Sequence, residues 1–273
     1  MSADDLTIQQ AARAFLYGYP LVYCLEEINR FPTGTATLVS GVYPFNHFAH
    51  ARDLVGPETK FVSPNSDTNY SIAPIDMSAG PQLLHLPDTH GRYYVIQCID
   101  AWTNNFAYLG HRATGTGEAT YLLVPWGWKG DLPEGVTAAV DVPTDVAVLV
   151  GRFQVHGADD LSAVHTLQDQ LTLTPLDGGG STGNGIPEPS EGVDARLTWW
   201  ESFRVALTAF PPPDEDADLV AACSALGLTP GTSPFVDPDP ALAEVLIAGE
   251  QAGREQLEQL MKSAGKPVNG WTS

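Results

Sequence analysis

The chain has 273 residues, 43% of them hydrophobic, and sets 33 Asp and Glu against 13 Lys and Arg. That is enough apolar material to bury a core without disulfide staples. The net charge of -20 repels phosphate backbones and anionic lipid surfaces, so neither nucleic acid nor a membrane is an expected partner.

The opening MSADDLTIQQ has no basic region followed by an apolar run, and no window reaches the roughly 18 apolar residues of a spanning helix. A cytoplasmic location is expected. Cys24, Cys98 and Cys223 are far apart in apolar surroundings and read as buried free thiols. The absence of a Cys-x-x-Cys pair argues against a thiolate zinc site.

Residues 4–29 are expected to form a helix, with Asp4 and Asp5 at its positive end and Leu6, Ala11, Phe15, Tyr19, Val22 and Tyr23 on one apolar face. Pro20 should kink it. After RFPTG the chain changes character: short runs of Val, Ile, Tyr and Leu are punctuated by Gly, Pro and Asp about every ten residues, the pattern of an antiparallel β-sandwich of jelly-roll-like type. Strand candidates are QLLHLPD, GRYYVIQCID, NNFAYLGHRA, EATYLLVPW, TAAVDVP and DVAVLVGRFQV. In RYYVIQCID, Tyr93, Val95, Gln97 and Ile99 share one face and Tyr94, Ile96, Cys98 and Asp100 the other, and neither face is cleanly polar. This predicts a central strand covered on both sides.

DLSAVHTLQDQLTLTPL, with Leu161, Val164, Leu167 and Leu171, reads as a helix. DGGGSTGNGIPEPSEGVD reads as a flexible hinge. ARLTWWESFRVALTAF, EDADLVAACSALGL and PALAEVLIAGEQAGREQLEQLMKSAG read as helices. The expected organisation is a helix over 1–30 packing on a sandwich over 31–176, a linker over 177–194 and a helical tail over 195–273.

Four clusters hold the chemistry-bearing residues. VSPNSDTNYS, residues 62–71, supplies Asn65, Asp67 and Tyr70, which either build a turn or line a ligand site. HGRYY and IDAWTNNF put Arg92 at one end of a strand and Asp100, Trp102, Asn104 and Asn105 at the other, roughly 26 Å apart at ~3.3 Å per residue. PWGWKG offers the indoles of Trp126 and Trp128, suited to stacking on a flat ligand or to capping a core. In GRFQVHG, Arg152 needs an acidic partner if it points inward.

Asp67 and Asp100 are candidate acid and base groups, Tyr70 a donor to developing negative charge, and Arg92 an assisting cation. Asn65, Trp102, Asn104, Asn105 and Trp126 are candidate substrate contacts. Each has a structural alternative: a carboxylate holding a turn through N–H groups, a core tyrosine, or turn asparagines. His47, His50 and Asp53 would share one face of a helix and could hold a metal there, or be surface groups. No metal site is predicted. Nucleophile-elbow, zinc-protease, Walker and dinucleotide signatures are absent, so no cofactor is expected.

YGYPLV, VSPNSDTNYS, LPDTHGRYYVIQCIDAWTNNFAYLGHRATGTG, GWKGDLPEGV and DLSAVHTLQDQLTLTPL together resemble a bacterial family classed as domain of unknown function 1254, over about residues 10–176. The resemblance implies a β-sandwich with helical additions. Many members are exported, and a departure from that pattern is expected here, since MSADDLTIQQ does not read as a signal sequence. Members continue through a segment like VNGW, residues 268–271 here, into a second domain of unknown function, which is expected to be missing from this polypeptide. A homo-oligomer, or a complex with a chain carrying that second domain, is therefore expected. Trp199, Trp200 and Phe203 are the candidate adhesive surface.

Two functions follow as expectations. One is binding of a small polar organic molecule at the sandwich rim, extending to cofactor-independent hydrolysis or lyase chemistry. The other is a non-catalytic binding or assembly module that completes a site with a partner chain.

Overall fold

The computed structural model describes residues 7–56, 59, 64–179 and 182–263. The chain divides into two compact units, residues 24–186 and residues 1–23 with 187–273. In chain order the elements are α1 (Ile8–Asn29), β1 (Ala49–His50), β2 (Thr68–Asp76), β3 (Gln82–Leu86), β4 (Tyr94–Asp100), β5 (Asn105–Gly110), β6 (Ala119–Pro125), β7 (Ala138–Val142), β8 (Val146–Gln154), α2 (Leu161–Gln168), β9 (Thr172–Pro175), α3 (Thr198–Ala209), α4 (Ala217–Ala225) and α5 (Pro240–Ser263).

The first unit is a sandwich of two sheets, ordered β1-β2-β8-β4-β5 and β7-β6-β3-β9. Every pairing is antiparallel except β6 with β7. Alternate residues of facing strands interleave in the core: Ala73 and Ile75 from β2, Tyr94, Ile96 and Cys98 from β4, Leu149 and Phe153 from β8, Leu84 and Leu86 from β3, Tyr121 and Leu123 from β6. β4 lies between β8 and β5, and its burial alternates: Tyr94, Ile96, Cys98 and Asp100 are buried, Val95, Gln97 and Ile99 half-buried. All three cysteines are buried and unpaired.

The segment read as one helix over residues 160–176 is a helix followed by a strand. α2 ends at Gln168, and Thr172–Pro175 pairs with β3 as β9. The Thr-Leu-Thr alternation suits a half-buried sheet edge, and Pro175 cannot continue a helix. Residues 45–50 form a turn and β1, so His47 and His50 share no helical face. Among the described residues no group of three His, Cys, Asp or Glu is placed to hold a metal. In the segment read as a hinge, Gly185 N–H donates to Asp76 Oδ2 (2.6 Å) and Asn184 N–H to Ser78 Oγ (2.7 Å).

The second unit is helical. Phe15, Leu21, Trp200, Phe203 and Leu246 are fully buried in it, and Trp200 Nε1–H donates to the Leu246 carbonyl (3.2 Å). α5 approaches α1 at glycines: a Cβ on Gly249 would stand 2.2 Å from Ala11 Cβ, and one on Gly253 2.4 Å from the Phe15 ring. The aromatic residues expected to face a partner are therefore spent inside this unit. Trp200 and Phe203 are solvent-free, and Trp199 packs 4.3 Å from the Phe15 ring centroid. Beside them Glu201, also solvent-free, accepts from Arg204 Nε (2.8 Å) and Nη2 (2.7 Å), Ser233 Oγ (2.7 Å) and Ser190 N–H (3.2 Å). Residues 268–271 lie outside the described residues. Among the described residues no helix is long and apolar enough to cross a membrane.

Candidate functional site

Because side chains alternate along a strand, the core-facing set of each strand fixes an outward set. On the five-stranded sheet that set contains Tyr70, Arg152, Val95, Gln97 and Tyr108, with Tyr70 opposite Arg152, Arg152 opposite Val95, and Gln97 opposite Tyr108. Arg152 thus points away from the core. Its Nη1 donates to Gln97 Oε1 (2.7 Å), and its guanidinium lies 5.4 Å from the Tyr70 ring centroid. Gln97 Nε2 donates to Asn105 Oδ1, and the Tyr70 hydroxyl accepts the Asn65 N–H (2.8 Å).

A second arginine arrives from the turn after β5. Gly110 has φ 137°, and a Cβ there would stand 2.4 Å from the Tyr94 carbonyl oxygen, so only glycine fits. Its carbonyl accepts the N–H groups of Ala113, Thr114 and Gly115, and its own N–H donates to Thr114 Oγ1 (2.9 Å). The tight turn sets Arg112 5.3 Å from the Tyr93 ring centroid. Arg112, Arg152, Tyr93, Val95, Gln97 and Tyr108 border a cavity of about 510 Å³, within the range of small-molecule sites.

The electrostatics of this cavity are distinctive within so acidic a chain. Arg30, Arg52, Arg92, Arg196, Arg204 and Arg254 each pair with a carboxylate. Among the described residues no such pair involves Arg112, Arg152 or Arg13, and Arg13 is an exposed helix residue outside this cavity.

The sequence-predicted residues fall into separate places. Tyr70, Asn65 and Asn105 are tied into the Arg152–Gln97 network. Asp100 is buried at the far end of β4, where its Oδ1 accepts the N–H groups of Trp102 and Asn104 (both 2.9 Å) and its Oδ2 accepts Asn104 Nδ2 (3.2 Å). It holds the turn in which Thr103 has φ 68°.

Arg92 precedes the other end of β4. It makes a two-pronged pair with Asp160 (2.5 and 2.7 Å) and donates to the Gln154 carbonyl (2.7 Å). The bond from Arg92 holds the Asp160 carboxyl down to about 2. Arg92 also borders an open cleft of about 980 Å³ with His90 and His156. Asp67 is exposed just before β2, and its carbonyl accepts the Val155 N–H (2.9 Å). Trp126 is 73% exposed and follows β6 of the other sheet. Asp67, Asp100, Tyr70 and Arg92 therefore do not converge on one cavity.

Sequence reasoning passed over Arg112, Tyr93 and Tyr108. The usable signal was the strand parity that groups Tyr93, Val95 and Gln97, together with a charged residue interrupting the apolar run of β8. A Ser–His contact also exists: Ser71 Oγ lies 2.9 Å from His50 Nδ1 and accepts from Gln168 Nε2 (3.1 Å). Burial and the Arg52 charge push His50 down to about 4, so its ring is neutral in this contact at pH 7. Ser71 has no solvent exposure, and Gln168 also ties it to the Ala51 and Tyr70 carbonyls. The contact joins β1, β2 and α2, a structural function.

Residues 45–175 match the family described as "Protein of unknown function (DUF1254)". No curated protein matches the chain. Among solved structures, the VPA0106 protein from Vibrio parahaemolyticus is similar, with TM-score 0.73 and 22% identity over 95% of this chain and 61% of that one. This chain thus spans about three fifths of that protein's length, and the likeness is one of fold. A putative uncharacterised protein from Burkholderia cenocepacia aligns over 71% of this chain and 48% of its own with 15% identity, at a TM-score of 0.33.

Proposed function

The chain carries a DUF1254 domain over residues 45–175, and we propose that this domain is a small-molecule-binding module whose site is the cavity on the outer face of its five-stranded sheet. The observation that carries the reading is the cavity of about 510 Å³ bordered by two arginines that have no carboxylate partner among the described residues and stand beside tyrosine rings. Placing cations on a concave, half-apolar surface without neutralising them costs solvation that a bound ligand recovers.

Binding is favoured over hydrolase or lyase turnover. The cavity is bordered by tyrosine, arginine, amide and aliphatic groups, whereas Asp67 and Asp100, the candidate proton carriers, stand outside its lining.

A ligand-observed NMR screen of a polar fragment library against the protein and Ala113→Trp tests this. Ala113 lines the cavity on an exposed turn, so the indole fills the cavity while leaving the core untouched. Hits should bind the parent protein and lose at least tenfold in affinity to the variant. Hits that bind both equally would refute the assignment.

A further inference from the structure

The hydrogen-bond polarity of the outer face names the class of ligand. A guanidinium only donates, so the carboxamide bonded to Arg152 must turn its oxygen toward it, and Gln97 Oε1 occupies that position at 2.7 Å. Gln97 Nε2 is then forced to the opposite side, where it donates to Asn105 Oδ1. That bond in turn leaves the Asn105 Nδ2 hydrogens as the outward end of the relay. Both ends of the Arg152–Gln97–Asn105 chain therefore present donors.

Arg112, held over Tyr93, adds a second unpaired fork of donors. The remaining walls, including Val95, Leu109 and the Tyr93 and Tyr108 rings, are apolar or aromatic. Nothing in this lining is an anion that would repel another. In a chain of net charge -20 such a patch selects negative charge by local contact, since the long-range field opposes it.

We infer that the ligand is a small organic carboxylate with a flat apolar body, its carboxylate on the Arg152 guanidinium and its body against the tyrosine rings, with Gln97 as the positioning residue that aims Arg152. This rests on the binding reading above and adds the chemical class of what is bound.

The test compares 4-fluorobenzoate with its neutral counterpart 4-fluorobenzamide by 19F NMR titration. The expected result is at least tenfold tighter binding of the benzoate, with the preference lost in Arg152→Met. Gln97→Glu, nearly isosteric, sets a carboxylate against Arg152 and should abolish the preference while the benzamide still binds. Gln97→Met, which removes the support and keeps the charge, should weaken the benzoate by severalfold and leave the benzamide unchanged. Equal binding of the two probes, or an undiminished preference in Arg152→Met, would overturn the assignment of ligand class alone. A silent spectrum for both probes, with fragments from the polar library also absent from the cavity, would overturn it together with the binding reading.

Discussion

Replacing Glu201 by Gln removes one charge from the centre of the helical unit and leaves nearly every heavy atom in place. The carboxylate has no solvent exposure, the Arg204 side chain is 5% exposed, and four donors converge on the two carboxylate oxygens. A carboxamide can accept at its oxygen only, so Nε2 would face one Arg204 donor while the remaining oxygen accepts the other, and the guanidinium would keep that single neutral bond beside the Thr229 and Gly231 carbonyls (3.0 and 2.9 Å) and Ser190 Oγ. Breaking a buried pair by removing one partner costs about 3–5 kcal/mol.

A second route gives a similar figure. Burial alone would raise the Glu201 carboxyl, but the bonds from Arg204, Ser190 and Ser233 outweigh it and lower the group from 4.5 to about 2. Such a displacement corresponds to roughly 3 kcal/mol of preference for the ionised form in the folded state. Since the folded value is depressed, this stability is complete above pH 4.5 and is lost as pH falls through about 2. Urea unfolding followed by tryptophan fluorescence, which reports Trp199 and Trp200, should show a loss of about 3 kcal/mol at pH 7 and a narrowing gap between the two proteins as pH falls below 4.5. A loss under 1 kcal/mol, or a gap independent of pH, would refute the role assigned to this pair.

Three further perturbations follow from the sandwich. His50 is held at about 4 against an ordinary 6.5, so the unfolded chain takes up a proton that the folded one refuses. Urea stability should therefore be full above pH 6.5 and decline by up to roughly 3 kcal/mol toward pH 4, with a flatter profile between pH 6.5 and 5 in His50→Asn. Gly183 has φ 63°, and a Cβ there would stand 2.2 Å from Asp76 Oδ2; Gly183→Ala should lower stability by about 2 kcal/mol in thermal melts, and an unchanged melt would contradict the docking of this segment on Asp76. Arg92→Lys keeps the charge but loses the two-pronged geometry with Asp160 and should cost about 1–2 kcal/mol by urea titration, with the binding of 4-fluorobenzoate unaltered.

Much of the sandwich was legible because its strands alternate cleanly. RYYVIQCID announced its two sets of side chains and its place between two strands, but the Val95, Gln97 and Ile99 face expected to be covered is only half-buried, and the length of that strand was enough to separate Arg92 from Asp100. The helix-to-strand change at residues 169–172 was hidden, since Leu161, Val164, Leu167 and Leu171 keep helical spacing and the edge of β3 that receives β9 is a tertiary fact. The site was legible only in part. Tyr70, Asn65 and Asn105 stood out as polar residues near strand ends. What joins them is Arg152, whose neighbours Tyr70 and Val95 are set by the register of three strands distant in sequence. Arg112 was invisible for a different reason: its position depends on a turn that Gly110 alone permits beneath the Tyr94 carbonyl. Asp100 looked catalytic because a carboxylate beside Trp and Asn is a common feature of sites, yet the same residue types close a turn through backbone N–H groups.

The most direct measurement is a crystal structure of the protein grown with saturating 4-fluorobenzoate. The account predicts the carboxylate within about 3 Å of the Arg152 guanidinium, a hydrogen-bonding distance, with the fluorophenyl ring against Tyr93 or Tyr108. A probe seated instead in the cleft beside Arg92, or an outer face without ligand density at saturation, would contradict it.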